Sequence, residues 1–193
     1  MKTSLLILAC SLVAITGMGE QPAPASDSPS AAPHILFQFN KADDLQGWVI
    51  QDDGVMGGLS KGRVQLNEAG QALFSGDVSL ENNGGFSSVQ AGFDPVDVSA
   101  YRTIRLHLKG DAKNYQIRVE SEPRARHGYA YNFETSGDWE DIVIPFDKMY
   151  AIHHGDRLDL PNFPGQQLAH IQILIGNKTE ESFELILDKI WLE

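Results

Sequence analysis

The chain has 193 residues, 42% of them hydrophobic and 9% aromatic, which is enough material for one domain with a full core. Lys+Arg 15 against Asp+Glu 26 gives a net charge of −11, which excludes nucleic acid and anionic membrane surfaces as partners, since both need clustered cations. The single cysteine, Cys10, lies in the N-terminal apolar run, so the rest of the chain has no disulfide, no thiolate metal site and no thiol nucleophile.

Residues 1–19 carry one Lys, an apolar run from Leu5 to Ile15 and then small residues. This is the layout of a secretory signal, with cleavage expected after Gly19 or after Ala25, and it predicts export to the periplasm or the exterior. The run is too short for a membrane span, so no transmembrane segment is expected in the mature protein. A lipoprotein attached through Cys10 is the less favoured alternative, because it would leave Leu12–Ile15 exposed. The signal peptide is placed within residues 1–25; residues 20–33 hold four prolines with Ser and Ala and read as a disordered linker, leaving 34–193 as one β-sandwich domain.

From His34 onward the chain is punctuated into short strands. Ile35–Phe39 and Trp48–Ile50 come first, around a polar turn at Asp43-Asp44. Gly62–Leu66 and Gln71–Gly76 read as a hairpin turned by Asn67-Glu68-Ala69-Gly70. Phe86–Phe93 follows. Thr103–Lys109 and Tyr115–Val119 alternate strictly between apolar and polar, so Ile104, Leu106, Leu108, Tyr115, Ile117 and Val119 are predicted to face a core and His107 and Arg118 to face water. Gly128–Phe133, Trp139–Ile144, Leu168–Ile175 and Phe183–Leu192 complete the set. In the last of these, Phe183, Leu185 and Leu187 have opposite parity to Ile190 and Leu192, which predicts a bulge near Asp188-Lys189. Ten or eleven short strands and no helical period define an all-β jelly-roll sandwich. Asp147–Gln167 reads as one long loop.

The densest turn chemistry falls between Trp48 and Val89. Gly54, Gly57 and Gly58 on one side and Gly84 and Gly85 on the other flank the hairpin. Neither run ends in the Lys-Ser/Thr of a phosphate loop, and neither opens a helix after a strand. The residues themselves leave two readings open: elaborate turns, or a ligand or partner surface. On the first reading Asp53 locks the two loops together and is expected to be buried and hydrogen-bonded to nearby backbone, whereas Asp53 and Phe86 exposed beside a groove would favour the second. The adjacent carboxylates Asp52 and Asp53 need not face each other. His153 and His154 lack metal-ligand spacing and are read as a solvated loop. Trp48, Trp139, Tyr129, Tyr131 and Phe86 are the candidates for a sugar-stacking platform, but Trp48 and Trp139 are expected in the core. Arg118, Arg124, Arg126 and His127 form a basic island, read as a solvated strand end or as a docking point for a carboxylate. No nucleophile elbow, metal set or cofactor motif is present, so no catalytic residue and no cofactor is expected.

The segments WVIQDDGVMGGLSKG and LFSGDVSLENNGGFSSVQ, with Tyr101–Leu106, Trp139–Phe146, Ile173–Gly176 and Phe183–Ile190, closely resemble the complex I intermediate-associated protein family over roughly residues 35–192. The resemblance implies a galactose-binding-like jelly-roll sandwich that binds a protein partner as an assembly factor and is not a catalyst. It singles out the two motif loops as the binding candidates: Asp53, Met56, Gly57, Gly58 and Ser60 in the first, Asn83, Gly84, Gly85, Phe86 and Ser88 in the second. A glycan, as for a carbohydrate-binding module of the cell envelope, is the alternative ligand, and an enzyme acting on envelope polymers is the third reading. The mitochondrial members of the family assemble a respiratory enzyme, whereas the leader here predicts export.

Overall fold

The computed structural model describes residues 31–40 and 45–193. The leader, Cys10, most of the linker and the Asp43-Asp44 turn lie outside the described residues. Among those residues the strands are β1 (His34–Gln38), β2 (Trp48–Asp52), β3 (Lys61–Leu66), β4 (Ala72–Val78), β5 (Ser87–Asp97), β6 (Thr103–Lys109), β7 (Asn114–Glu120), β8 (Gly128–Glu134), β9 (Trp139–Pro145), β10 (Tyr150–His153), β11 (Asp156–Arg157), β12 (Gln167–Ile175) and β13 (Glu181–Leu192). Two antiparallel sheets result: β3-β4-β13-β6-β9 with β1 added along β13, and β11-β10-β8-β7-β12-β5-β2.

Alternation decides which side chains lie between the sheets. Ile104, Leu106 and Leu108 of β6 and Leu185 and Leu187 of β13 face Tyr115, Ile117 and Val119 of β7 and Ile171, Ile173 and Ile175 of β12, all buried. Trp48 is 7% exposed and meets Phe37 and Phe39 edge-on at 4.9 and 5.5 Å. The expected bulge is present. Leu187 pairs with Leu108 and Lys189 with His107, so Asp188 is the extra residue, and Ile190 and Leu192 return to the core. The freed Asp188 carbonyl accepts the Phe39 N–H at 2.9 Å, tying β1 to the bulge. The β3–β4 turn is set by Asn67, whose Oδ1 accepts the N–H groups of Ala69 and Gln71 at 3.0 and 2.9 Å.

Two elements depart from the sequence reading. The stretch expected as one long loop contains the β10–β11 hairpin, in which His153 pairs with Asp156 across His154-Gly155. Both turn residues have positive φ, +49° and +92°, as a two-residue primed turn requires. An imidazole in the first of these positions gives a weaker sequence signal than Asn. Trp139, expected in the core, is instead 41% exposed on the edge strand β9, where it stacks on His107 at 5.1 Å. The parity of β9 puts Ile142 and Ile144 inward and Trp139 opposite Lys109 on the wet face.

Candidate functional site

The two glycine-rich loops are joined through one carboxylate. β2 ends in a 3-10 turn over Asp53–Met56, closed by Gly57 at φ +90°, whose N–H reaches the Gly54 carbonyl at 3.0 Å. Asp53 is fully buried. Its Oδ2 accepts the Ser60 hydroxyl at 2.5 Å and the backbone N–H groups of Gly85 and Phe86 at 2.7 and 3.2 Å, and its Oδ1 accepts the Ser60 N–H at 3.1 Å. Burial raises the Asp53 pKa, but these hydrogen bonds outweigh it and hold the carboxyl below its ordinary value. Ser60 Oγ also accepts the Ser79 N–H at 3.0 Å, which extends the junction to the end of β4.

Two glycines make room for this carboxylate. A Cβ on Gly58 would overlap the Asp53 side chain, and one on Gly84 would stand 2.7 Å from both Asp53 Oδ2 and the Ser79 carbonyl. The structure therefore brings together Asp53, Gly58, Ser60, Gly84, Gly85 and Phe86 as one interlock. Gly57 and the exposed Asn83, at φ +62°, shape its two turns. Phe86 itself is half-buried. Ser88 sits apart on β5, where its hydroxyl donates to the Gln51 carbonyl at 2.8 Å and accepts from Gln172 at 2.9 Å.

Asp52 is a second anchor that the sequence reading did not single out. Its carboxylate accepts the Ser87 hydroxyl at 2.6 Å and the Gly62 N–H at 3.0 Å. The two neighbouring carboxylates have separate partners: Asp52 ties β3 to β5, and Asp53 ties the loops that lead into those two strands.

Around the interlock the loops expose apolar side chains. Met56 is 62% exposed, more than any other large apolar side chain among the described residues, and Leu59 and Leu80 are 49% and 41% exposed. Leu59 and Leu80 are each one residue from the hydrogen-bonded pair Ser60 and Ser79, so the interlock fixes the backbone that carries them.

The stacking platform considered from the sequence does not assemble. Trp48 is buried, Tyr129 and Tyr131 pack against the core, and Trp139 lies on the other sheet. The outer face of the seven-stranded sheet is polar instead. Gln116 Nε2 donates to Asn132 Oδ1 at 2.7 Å and to the Tyr150 hydroxyl at 3.0 Å, and Arg118 Nε donates to Gln116 Oε1 at 2.5 Å. The alternation of Gln116 and Arg118 with Ile117, and the basic island that includes Arg118, are the sequence signals for this face. Among the described residues no group of three or more His, Cys, Asp or Glu is placed to hold a metal ion, and no helix is long and apolar enough to cross a membrane.

These features define an all-β two-sheet sandwich whose fold matches that of carbohydrate-binding modules. It is similar to the family 11 carbohydrate-binding module from Clostridium thermocellum in complex with a β-1,3-1,4-mixed-linked tetrasaccharide, with a TM-score of 0.59, 16% identity, and coverage of 83% of this chain and 94% of that one. The family 11 module of a cellulosomal cellulase of the same organism matches at a TM-score of 0.58, 18% identity and the same coverage. The model of the complex I intermediate-associated protein 30 family matches residues 37–187, and the chain belongs to that family. It is 23% identical over 179 residues to the mitochondrial complex I intermediate-associated protein 30 of Mus musculus, covering 81% of this chain and 55% of the relative. The chain thus spans about half the length of the curated relative it matches.

Proposed function

We propose that this chain is an exported, non-enzymatic binding protein of assembly-factor type, which captures a protein partner on the two motif loops. The observation that carries the reading is the set of Met56, Leu59 and Leu80, exposed on loops that a buried carboxylate holds rigid. Apolar side chains on a pre-ordered backbone lose little conformational freedom on binding, and their burial supplies the driving force. The mouse relative is named for association with complex I intermediates, which supports a protein partner. Export rests on the secretory layout of residues 1–19.

The test is the variant carrying Met56→Asp and Leu59→Asp. Each site withdraws about 1 kcal/mol or more of apolar burial, so partner capture from the envelope fraction should fall by at least tenfold. Both side chains are exposed, so melting should stay within about 0.5 kcal/mol of wild type. Capture that survives both substitutions rules out this surface.

A further inference from the structure

We propose that the outer face of the seven-stranded sheet binds an acidic oligosaccharide, a chain of pyranose units bearing uronate carboxylates, with Arg118 receiving a carboxylate. This surface is separate from the Met56 loop, so the proposal stands or falls independently of protein capture.

Strand register lays out the face. One row across the sheet runs Val49, Gln90, Gln172, Arg118, Ala130 and Tyr150, one residue from each successive strand from β2 to β10. The neighbouring row runs Gln51, Ser88, Leu174, Gln116 and Asn132. Strands repeat at about 4.8 Å, close to the length of one pyranose unit, so a sugar chain lying across the strands passes Gln90, Arg118 and Tyr150 in the first row and Gln51, Gln116 and Asn132 in the second, while Gln172 and Ala130 lie buried beneath it. Primary amides donate and accept, as sugar hydroxyls do, and the amides here are already oriented by their own bonds: Gln90 to Gln51 at 2.8 Å, Gln172 to Ser88 at 2.9 Å and Gln116 to Asn132 at 2.7 Å. A hollow of about 920 Å3 is bordered by Gln116, Arg118, Asn132 and Lys178, with the carboxylates Glu134 and Asp141 also on its lining.

Arg118 sets the sign of the ligand. It is half-buried, and only its Nε is engaged, on a neutral amide. Among the described residues no carboxylate forms an ion pair with it, although the chain carries 26 acidic residues. Burial holds its pKa below the usual guanidinium range, and the interaction with Tyr150 offsets this only in part. A partly desolvated cation without a counter-ion is costly to keep, and the free Nη fork matches a carboxylate in bidentate geometry. Arg157 lies over the Tyr150 ring at 4.8 Å and likewise has no ion pair among the described residues, which adds a second cation at the same end of the row. An acidic peptide would need a free sheet edge or apolar pockets for its backbone and side chains. This face offers amides in the middle of a sheet.

The test is isothermal titration of the full chain with four probes: a galacturonate tetramer, a mannuronate tetramer, a neutral glucose tetramer and a hexaglutamate peptide. At least one uronate tetramer should bind, with affinity falling as salt rises. Arg118→Gln should weaken that binding about 10–100-fold, the loss expected for one charge-assisted pair, while Arg63→Gln on the opposite sheet leaves it unchanged. Arg118→Lys, which keeps the charge and loses the fork, should fall between. A melting temperature for Arg118→Gln within about 2 °C of wild type separates lost recognition from lost fold. The proposal is overturned if neither uronate binds, if the neutral tetramer or the peptide binds as tightly, or if Arg118→Gln binds like wild type.

Discussion

Replacing Asp53 tests whether one buried carboxylate holds the two motif loops together. Asp53→Ala removes the acceptor for three backbone N–H groups, of Ser60, Gly85 and Phe86, and for the Ser60 hydroxyl, and it leaves a void where Gly58 and Gly84 made room. Each orphaned buried donor costs about 1–3 kcal/mol, partly recovered by relaxation, so the expected loss is about 3–5 kcal/mol. In a domain of this size that lowers Tm by roughly 10–15 °C. Asp53→Asn keeps the shape. Its carbonyl oxygen can serve the three donors at Oδ2, but its NH2 then meets the Ser60 N–H, donor against donor, and the charge is gone. About 2–3 kcal/mol is expected. Urea denaturation followed by tryptophan fluorescence reads both values, with the m-value unchanged. The pH dependence provides an internal check. The folded chain holds Asp53 ionised below its ordinary range, so the unfolded chain takes up the proton first. The stabilisation is therefore complete above about pH 4 and is lost as pH falls through the folded value. The gap between wild type and Asp53→Asn should narrow below about pH 4. Losses under about 0.5 kcal/mol for both variants, or a gap that does not change with pH, would refute the interlock.

Further outcomes follow from the same geometry. Gly58→Ala and Gly84→Ala should each cost about 1–3 kcal/mol by overlap with Asp53, while Gly92→Ala, which has open space around the added methyl, should stay within about 0.5 kcal/mol in the same urea series. Trp48→Ala should cost about 3–5 kcal/mol, and the exposed Trp139→Ala about 1 kcal/mol or less; equal losses by calorimetry would contradict their placement.

Much of the fold was legible because period-2 alternation is a local signal. β6 and β7 each carry three inward apolar residues in strict register, and the parity break in β13 predicts its bulge at the right residue. Two features needed tertiary information. Trp139 is an aromatic at the start of an edge strand, and only the pairing of β9 with β6 decides that its parity faces water. The β10–β11 turn uses His154 at positive φ, which costs a side chain more than it costs Asn or Gly and carries no strong signature. The site divides the same way. Asp53 and the glycines are conspicuous as residue types, and the expectation of a buried, backbone-bonded Asp53 matches its geometry. Adjacent carboxylates need not face each other, and the anchoring role of Asp52 depends on Gly62 and Ser87, which only the fold brings beside it. The polar row through Gln172, Arg118 and Tyr150 comes from strands far apart in the chain, so only the sheet order brings it together.

Capture of a protein partner by Met56, on loops held by the Asp53 interlock, is tested by placing a photoreactive amino acid at position 56 in the full chain and irradiating in the native host. A control should carry the same residue at Glu68, exposed in the β3–β4 turn. Mass spectrometry of the adducts should find one discrete protein joined through position 56 and absent from the Glu68 control, and adding Asp53→Ala should abolish the adduct. Identical adducts from both positions, or none from position 56, would contradict the claim.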